Sequence, residues 1–191
     1  MRGIGWGVAA LLAMASSAHA AGWQTYTYRD QGFSVESTVP LTQGKGLYKG
    51  AIAGAIPTIT YSGEAENIRY KVSIVDISKR PADAVNLYLE MEFLTSLSGK
   101  VLANESVGIE PGKDRHYGRQ LVIQAKDGSL VRTVLVYNKG KIYITEATIL
   151  PNGDKDSFSP ERFVESILFD LDGAARERDN DPANFKTPDG K

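Results

Sequence analysis

The histidine beyond residue 20 is His116, in the run Lys113-Asp-Arg115-His116-Tyr117, and any Ser-His-Asp triad would have to use it as its base. A serine nucleophile of the elbow type needs G-x-S-x-G. The nearest match, Gly32-Phe-Ser34-Val-Glu36, ends in Glu, and S-x-x-K is absent. With no Cys, thiolate nucleophiles, disulfides, zinc knuckles and iron–sulfur clusters go together. One histidine and carboxylates do not suit tetrahedral zinc. Asn152-Gly-Asp154-Lys-Asp156 offers oxygen ligands at positions 1, 3 and 5 of a calcium loop, but Ser157 stands where Gly is needed and Phe163 where the closing Glu is needed. Gly44-Lys-Gly46-Leu-Tyr48-Lys49 lacks the third Gly of a dinucleotide loop and the G-K-[ST] of a phosphate loop. No catalytic residue, metal site or cofactor is assigned, and a hydrolase would rest on His116 with an Asp or Glu partner.

What remains is chemistry of contact. Lys113, Arg115, His116, Tyr117 and Arg119 interleave cations with aromatic rings, as interface hot spots do, and would suit an acidic protein partner. The bland alternative is a set of strand-edge cations that discourage edge-to-edge pairing. Tyr48 and Ile52 lie in the glycine-rich stretch Leu41–Gly54, which the sequence marks as a mobile loop able to order on a partner. The charge balance, 22 Lys+Arg against 23 Asp+Glu, excludes the broad basic surface of a nucleic-acid binder.

The elements that must position these residues follow from hydropathy. Trp23–Tyr28 and Phe33–Val39 alternate as two strands, and Thr58–Ser62 and Arg69–Ile77 as two more. Pro81 and Asp83 open a helix whose Ala84, Leu87, Tyr88, Met91 and Leu94 form one apolar stripe ending at Gly99. Val101–Glu110 and a Pro111-Gly112 turn lead into an antiparallel meander, Arg119–Ala125, Leu130–Tyr137 and Lys141–Ile149, with tight turns at Asp127-Gly128 and Asn138-Lys-Gly140. In its middle strand Leu130, Val134 and Val136 alternate with Val131, Leu135 and Tyr137, so both faces of the sheet need cover. Tyr61, Tyr70, Tyr88, Tyr137 and Tyr143 read as core or sheet-face residues with hydroxyls at the rim. Ser159-Pro160-Glu161 starts a second helix with Phe163, Ile167, Leu168 and Leu171 as its stripe. The class is therefore α+β: an antiparallel twisted sheet with helices on both faces.

Met1–Ala20 has a basic start, an apolar run Ile4–Ala15 and the cleavage pattern Ala18-His19-Ala20, the form of a secretory signal peptide. Residues 21–173 then make one domain and 174–191 a disordered tail, in a protein that is periplasmic or secreted and has no transmembrane segment once the leader is removed.

The opening Trp23…Tyr28…Gly32-Phe33-Ser-Val…Val39-Pro40, the strand Tyr70-Lys-Val-Ser-Ile-Val-Asp-Ile77 before a helix, and the closing Arg162-Phe163-Val-Glu-Ser166-Ile-Leu-Phe169 together resemble the PsbP/Mog1-like superfamily. That resemblance implies an α/β/α sandwich and, since members with known roles mostly bind other proteins, a non-catalytic accessory protein contacting a protein partner in the cell envelope. The alternative is a carrier of a small apolar molecule, held between the sheet and one helix and gated by Leu41–Gly54.

Overall fold

The structure, a computed structural model, describes residues 22–109 and 116–169, with the side chains of His116 and Tyr117 left out. The expected leader, the Pro111-Gly112 turn and the tail lie outside the described residues. The chain forms β1 (Gln24–Tyr28), β2 (Phe33–Ser37), β3 (Thr42–Gly50), β4 (Gly54–Ala65) and β5 (Ile68–Asp76), then a 3₁₀ turn (Pro81–Asp83) and α1 (Ala84–Ser96). β6 (Gly99–Ile109), β7 (His116–Ala125), β8 (Leu130–Asn138), β9 (Lys141–Ile149) and α2 (Ser159–Glu165) complete it. β1 and β2 make a separate hairpin, and the other seven strands form one sheet in the order β3-β4-β5-β9-β8-β7-β6, antiparallel at every pairing.

Alternation builds two apolar clusters from one sheet, because successive side chains of a strand point to opposite faces. Val134 and Val136 join Tyr70, Val72, Tyr143 and Ile149 in a cluster with Phe33 and Val35 of β2 and Phe163 and Val164 of α2. Leu135, between them, belongs to the other cluster, with Val75, Leu121, Ile123 and Ile142 of the sheet and Leu87 and Met91 of α1. Thr145, buried opposite Val134, donates from Oγ1 to the Val164 carbonyl at 3.2 Å and so ties α2 to the sheet.

The antiparallel sheet with two helices agrees with the expected class; a helical layer over each face does not form. Among the described residues the helices are short, of thirteen and seven residues. The cover opposite α1 is shared among the β1–β2 hairpin, α2 and the segment up to Phe169. α2 ends at Glu165 although its apolar stripe runs on. Ser166 Oγ donates to the Phe163 carbonyl at 2.8 Å and accepts the Glu36 N–H at 2.9 Å, and Leu168 then bridges Ser34 through bonds of 2.9 and 3.0 Å. Pairing with β2 outcompetes another helical turn.

The stretch expected to be a mobile loop is instead strand β3 and a tight turn. Its glycines supply closeness: a Cβ on Gly46 would strike Thr58 Oγ1, and one on Gly44 would lie 2.9 Å from Thr60 Oγ1, so only glycine lets β3 sit in register against β4 at these threonines.

Candidate functional site: the outer face of α1 and its groove

α1 holds to the sheet through side chains on three sides. Leu87 and Met91 are buried beneath it. On one flank Glu90 accepts the N–H groups of Ile52 at 2.6 Å and Ala53 at 3.0 Å, while Arg80 donates to the carbonyls of Ala53 at 2.9 Å and Ile52 at 3.1 Å. The β3–β4 turn is thereby gripped by an anion on its donors and a cation on its acceptors. These bonds, first that from Ile52, hold the Glu90 carboxyl below its ordinary value. On the other flank Tyr88 donates its hydroxyl to the Leu135 carbonyl at 2.9 Å, and burial pushes that phenol up to about 12.

The remaining side of α1 faces outward and is apolar. Val85, Leu89, Phe93 and Leu97 recur every fourth residue and are 71%, 54%, 60% and 62% exposed. An amphipathic helix normally turns its apolar stripe to the core, but this one carries a second apolar row outward, beside the exposed Asn86.

Beside the N-terminal half of this ridge lies a groove of about 420 Å³. Ala84, Val85, Tyr88 and Leu89 form one wall, and Ser106, Gly118, Arg119 and Tyr137 of β6, β7 and β8 form the floor and far wall. Gly118 lines the groove with its backbone, and β7 lies so close to β8 there that a Cβ, on the face away from α1, would collide with the Leu135 carbonyl oxygen and crowd Val136. Arg119 spans the floor, donating to Asn104 Oδ1 at 2.6 Å and Ser106 Oγ at 2.9 Å, with Nε 3.3 Å from Glu92 Oε1. Its charge is therefore matched within the fold, and the groove offers apolar walls over a neutralised floor.

Of the residues singled out from sequence, Arg119 lines the groove. His116 and Tyr117 pair with Ile109 and Gly108 at the start of β7, which is an inner strand; their side chains, and Lys113 and Arg115 altogether, fall outside the described residues. Tyr48 and Ile52 lie on the opposite flank of α1 from Arg119. Tyr48 packs into the α1 cluster, where burial and then Glu90 raise its phenol to about 12, while Ile52 is half-exposed over the Glu90 clamp. The outer ridge is what the sequence reading missed. Its signal is four large apolar residues at four-residue spacing, beside the inner stripe of Leu87 and Met91. In the suspected calcium loop, Asp154 Oδ1 accepts the Asp156 N–H at 3.0 Å, a turn-forming role.

No family model matches the chain, and no curated protein matches it. Distant solved structures are similar, two of them as follows. One, from Pseudomonas aeruginosa, is PA94, a protein of unknown function: 15% identity over 68% of this chain and 83% of that one, TM-score 0.36. The other is the cyanobacterial PsbP of Synechocystis sp. PCC 6803: 14% identity over 83% of this chain and 98% of that one, TM-score 0.46. At such distances neither bears on the site. Among the described residues no helix is long and apolar enough to cross a membrane.

Proposed function

We propose that the protein is a non-catalytic accessory protein of the cell envelope, exported by its leader to the periplasm or beyond, and that it docks a polypeptide through the outer face of α1 and the adjoining groove. The observation that carries this reading is the ridge Val85, Leu89, Phe93 and Leu97, each more than half exposed. Fully burying one such side chain is worth roughly 1.5–3 kcal/mol, so covering the exposed part of four supplies a driving force of several kcal/mol without any charged contact. The test is a photo-cross-linking amino acid at position 93, used in cells followed by envelope fractionation. A discrete polypeptide adduct that disappears when Leu89→Asp is added is expected; no adduct from positions 89 or 93 would remove the reading.

A second reading, a carrier of a small apolar molecule, is favoured by the groove volume of about 420 Å³, within the roughly 300–1,000 Å³ of ligand pockets. Leu41–Gly54 is not its gate, since β3 and its turn lie on the other flank of α1. Native mass spectrometry showing a retained apolar molecule, lost on Ala84→Trp, would favour the carrier.

A further inference from the structure

We infer that the polypeptide occupying the outer face of α1 is a second copy of this chain, in an antiparallel contact of the two α1 helices. This rests on the reading of that face as a protein-docking surface and names its occupant.

The exposed apolar residues are concentrated on one surface. Of ten large hydrophobic side chains exposed among the described residues, five lie on the ridge or line the groove beside it: Val85, Leu89, Phe93, Leu97 and Tyr137. Taking roughly 100 Å² for the exposed part of each, a copy offers on the order of 500 Å² and a pair about 1,000 Å² of apolar surface, the size of a weak, reversible contact. That predicts a reversible dimer of low affinity.

The geometry is self-complementary, as a two-fold contact requires. A row of side chains at i, i+4, i+8 and i+12 is the ridge that packs into the matching groove of another helix at about −50°, with axes about 8–10 Å apart. If the copies cross between Leu89 and Phe93, Phe93 of each meets Leu89 of the other, and Leu97 meets Val85. Leu89 and Val85 are walls of the groove, so each Phe93 enters the other copy's groove beside Tyr88. Ridge and groove are supplied by the same surface.

Charge points the same way. The two charged residues of α1 are both committed to the fold: Glu90 to the N–H groups of Ile52 and Ala53, and Glu92 to Arg119 and Asn104. The outer face carries no charge, so an identical face meets no like charge, and an antiparallel crossing sets the helix dipoles favourably. An acidic or basic partner would find no counter-charge there.

The experiment is sedimentation equilibrium on Ala21–Lys191, which contains the whole described fold, from about 1 to several hundred micromolar, the range in which an interface at the lower size limit associates. A monomer–dimer equilibrium is expected. Phe93→Asp and Leu89→Asp should each weaken it at least about tenfold with circular dichroism unchanged, a loss of the size a buried hot spot carries. Phe158→Asp, at a site 83% exposed and away from α1, should leave it intact. Because the chain is cysteine-free, a mixture of Asn86→Cys and Ser96→Cys proteins should cross-link through a short bismaleimide far better than either alone, since 86 and 96 lie opposite in this register. A chain that stays monomeric throughout, or a dimer indifferent to Phe93→Asp, overturns the inference. If the monomer nevertheless gives a polypeptide adduct at position 93, the docking reading stands and only the second copy is lost; if it gives none, both fall. A monomer retaining an apolar molecule overturns it in favour of the carrier.

Discussion

Glu90, in the middle of α1, accepts the backbone N–H of Ile52 at 2.6 Å from across the β3–β4 turn. The bond joins the helix that presents the candidate site to the sheet edge that anchors it. It also explains Gly50, since a Cβ there would overlap the Glu90 carboxylate. A larger residue at 50 would push the Glu90 carboxylate off the turn, so the strand residue and the clamp are coupled.

Replacing Glu90 by Gln should lower the melting temperature at pH 7 and speed amide exchange at Ile52 and Ala53. The pH dependence follows from the direction of the shift. The folded carboxyl titrates below its ordinary 4.5, so the unfolded chain binds more protons in that window, and the stabilisation is present above pH 4.5 and lost as pH falls through the folded value. The gap in melting temperature between wild type and Glu90→Gln should therefore close on acidification below 4.5. A gap constant from pH 7 down to 3 would show that the carboxylate charge is not what holds the turn.

Gly46→Ala should cost about 1–3 kcal/mol, the range for forcing a methyl group into a packed site, because its Cβ would meet Thr58 Oγ1. Thr58→Ala in the same chain removes that atom and should recover much of the loss, a coupling that a double-mutant cycle in urea measures directly. Additive effects would mean that β3 does not lie against β4 as described, and would return Leu41–Gly54 to the mobile loop its composition implies.

That reversal shows where the sequence was readable. Leu87 and Met91 against the sheet, and Val134 and Val136 set apart from Leu135, follow from periodicities of 3.6 and 2 that a chain displays on its face. Gly44 and Gly46 do not: a glycine needed for flexibility and one needed for closeness look alike until Thr58 and Thr60 are known to lie opposite. The end of α2 was hidden for a similar reason, since Ser166 is captured by the Glu36 N–H, 130 residues away in sequence, while Ile167 and Leu168 keep to the helical stripe. In the site, the sequence singles out Arg119, but its place in the groove and its neutralisation by Glu92 depend on β7 meeting α1. The outer ridge is legible by spacing, but one stripe already makes a helix amphipathic, so a second does not stand out.

Thr145→Val keeps the shape of a buried residue and deletes the hydroxyl that donates to the Val164 carbonyl at 3.2 Å. The Val164 acceptor is left without that donor, at a cost of about 1–3 kcal/mol. Because the bond fastens α2, the chain should also show faster exchange at Val164–Leu168 than in strands β5 and β9. Chemical denaturation with exchange mass spectrometry separates the two effects; uniform loosening of the sheet would indicate a packing defect in place of a lost anchor.

Buried phenols couple stability to alkaline pH. Tyr28, Tyr48, Tyr88 and Tyr143 are each pushed up to about 12, in every case chiefly by burial, whereas the same phenols in the unfolded chain ionise near their ordinary 10. Between these values the folded protein holds protons that the unfolded chain has released. Their contribution to stability is therefore complete below pH 10 and declines as pH rises from 10 towards 12. Tyr143→Phe tests one member: its hydroxyl donates to the Gln31 carbonyl at 2.7 Å, so the variant should be less stable at pH 7 by about 1 kcal/mol. Having no phenol to ionise there, it should lose less stability than wild type between pH 10 and 12. Urea midpoints measured across that range for both proteins check the slope, and parallel curves would mean that Tyr143 titrates alike in the folded and unfolded chain.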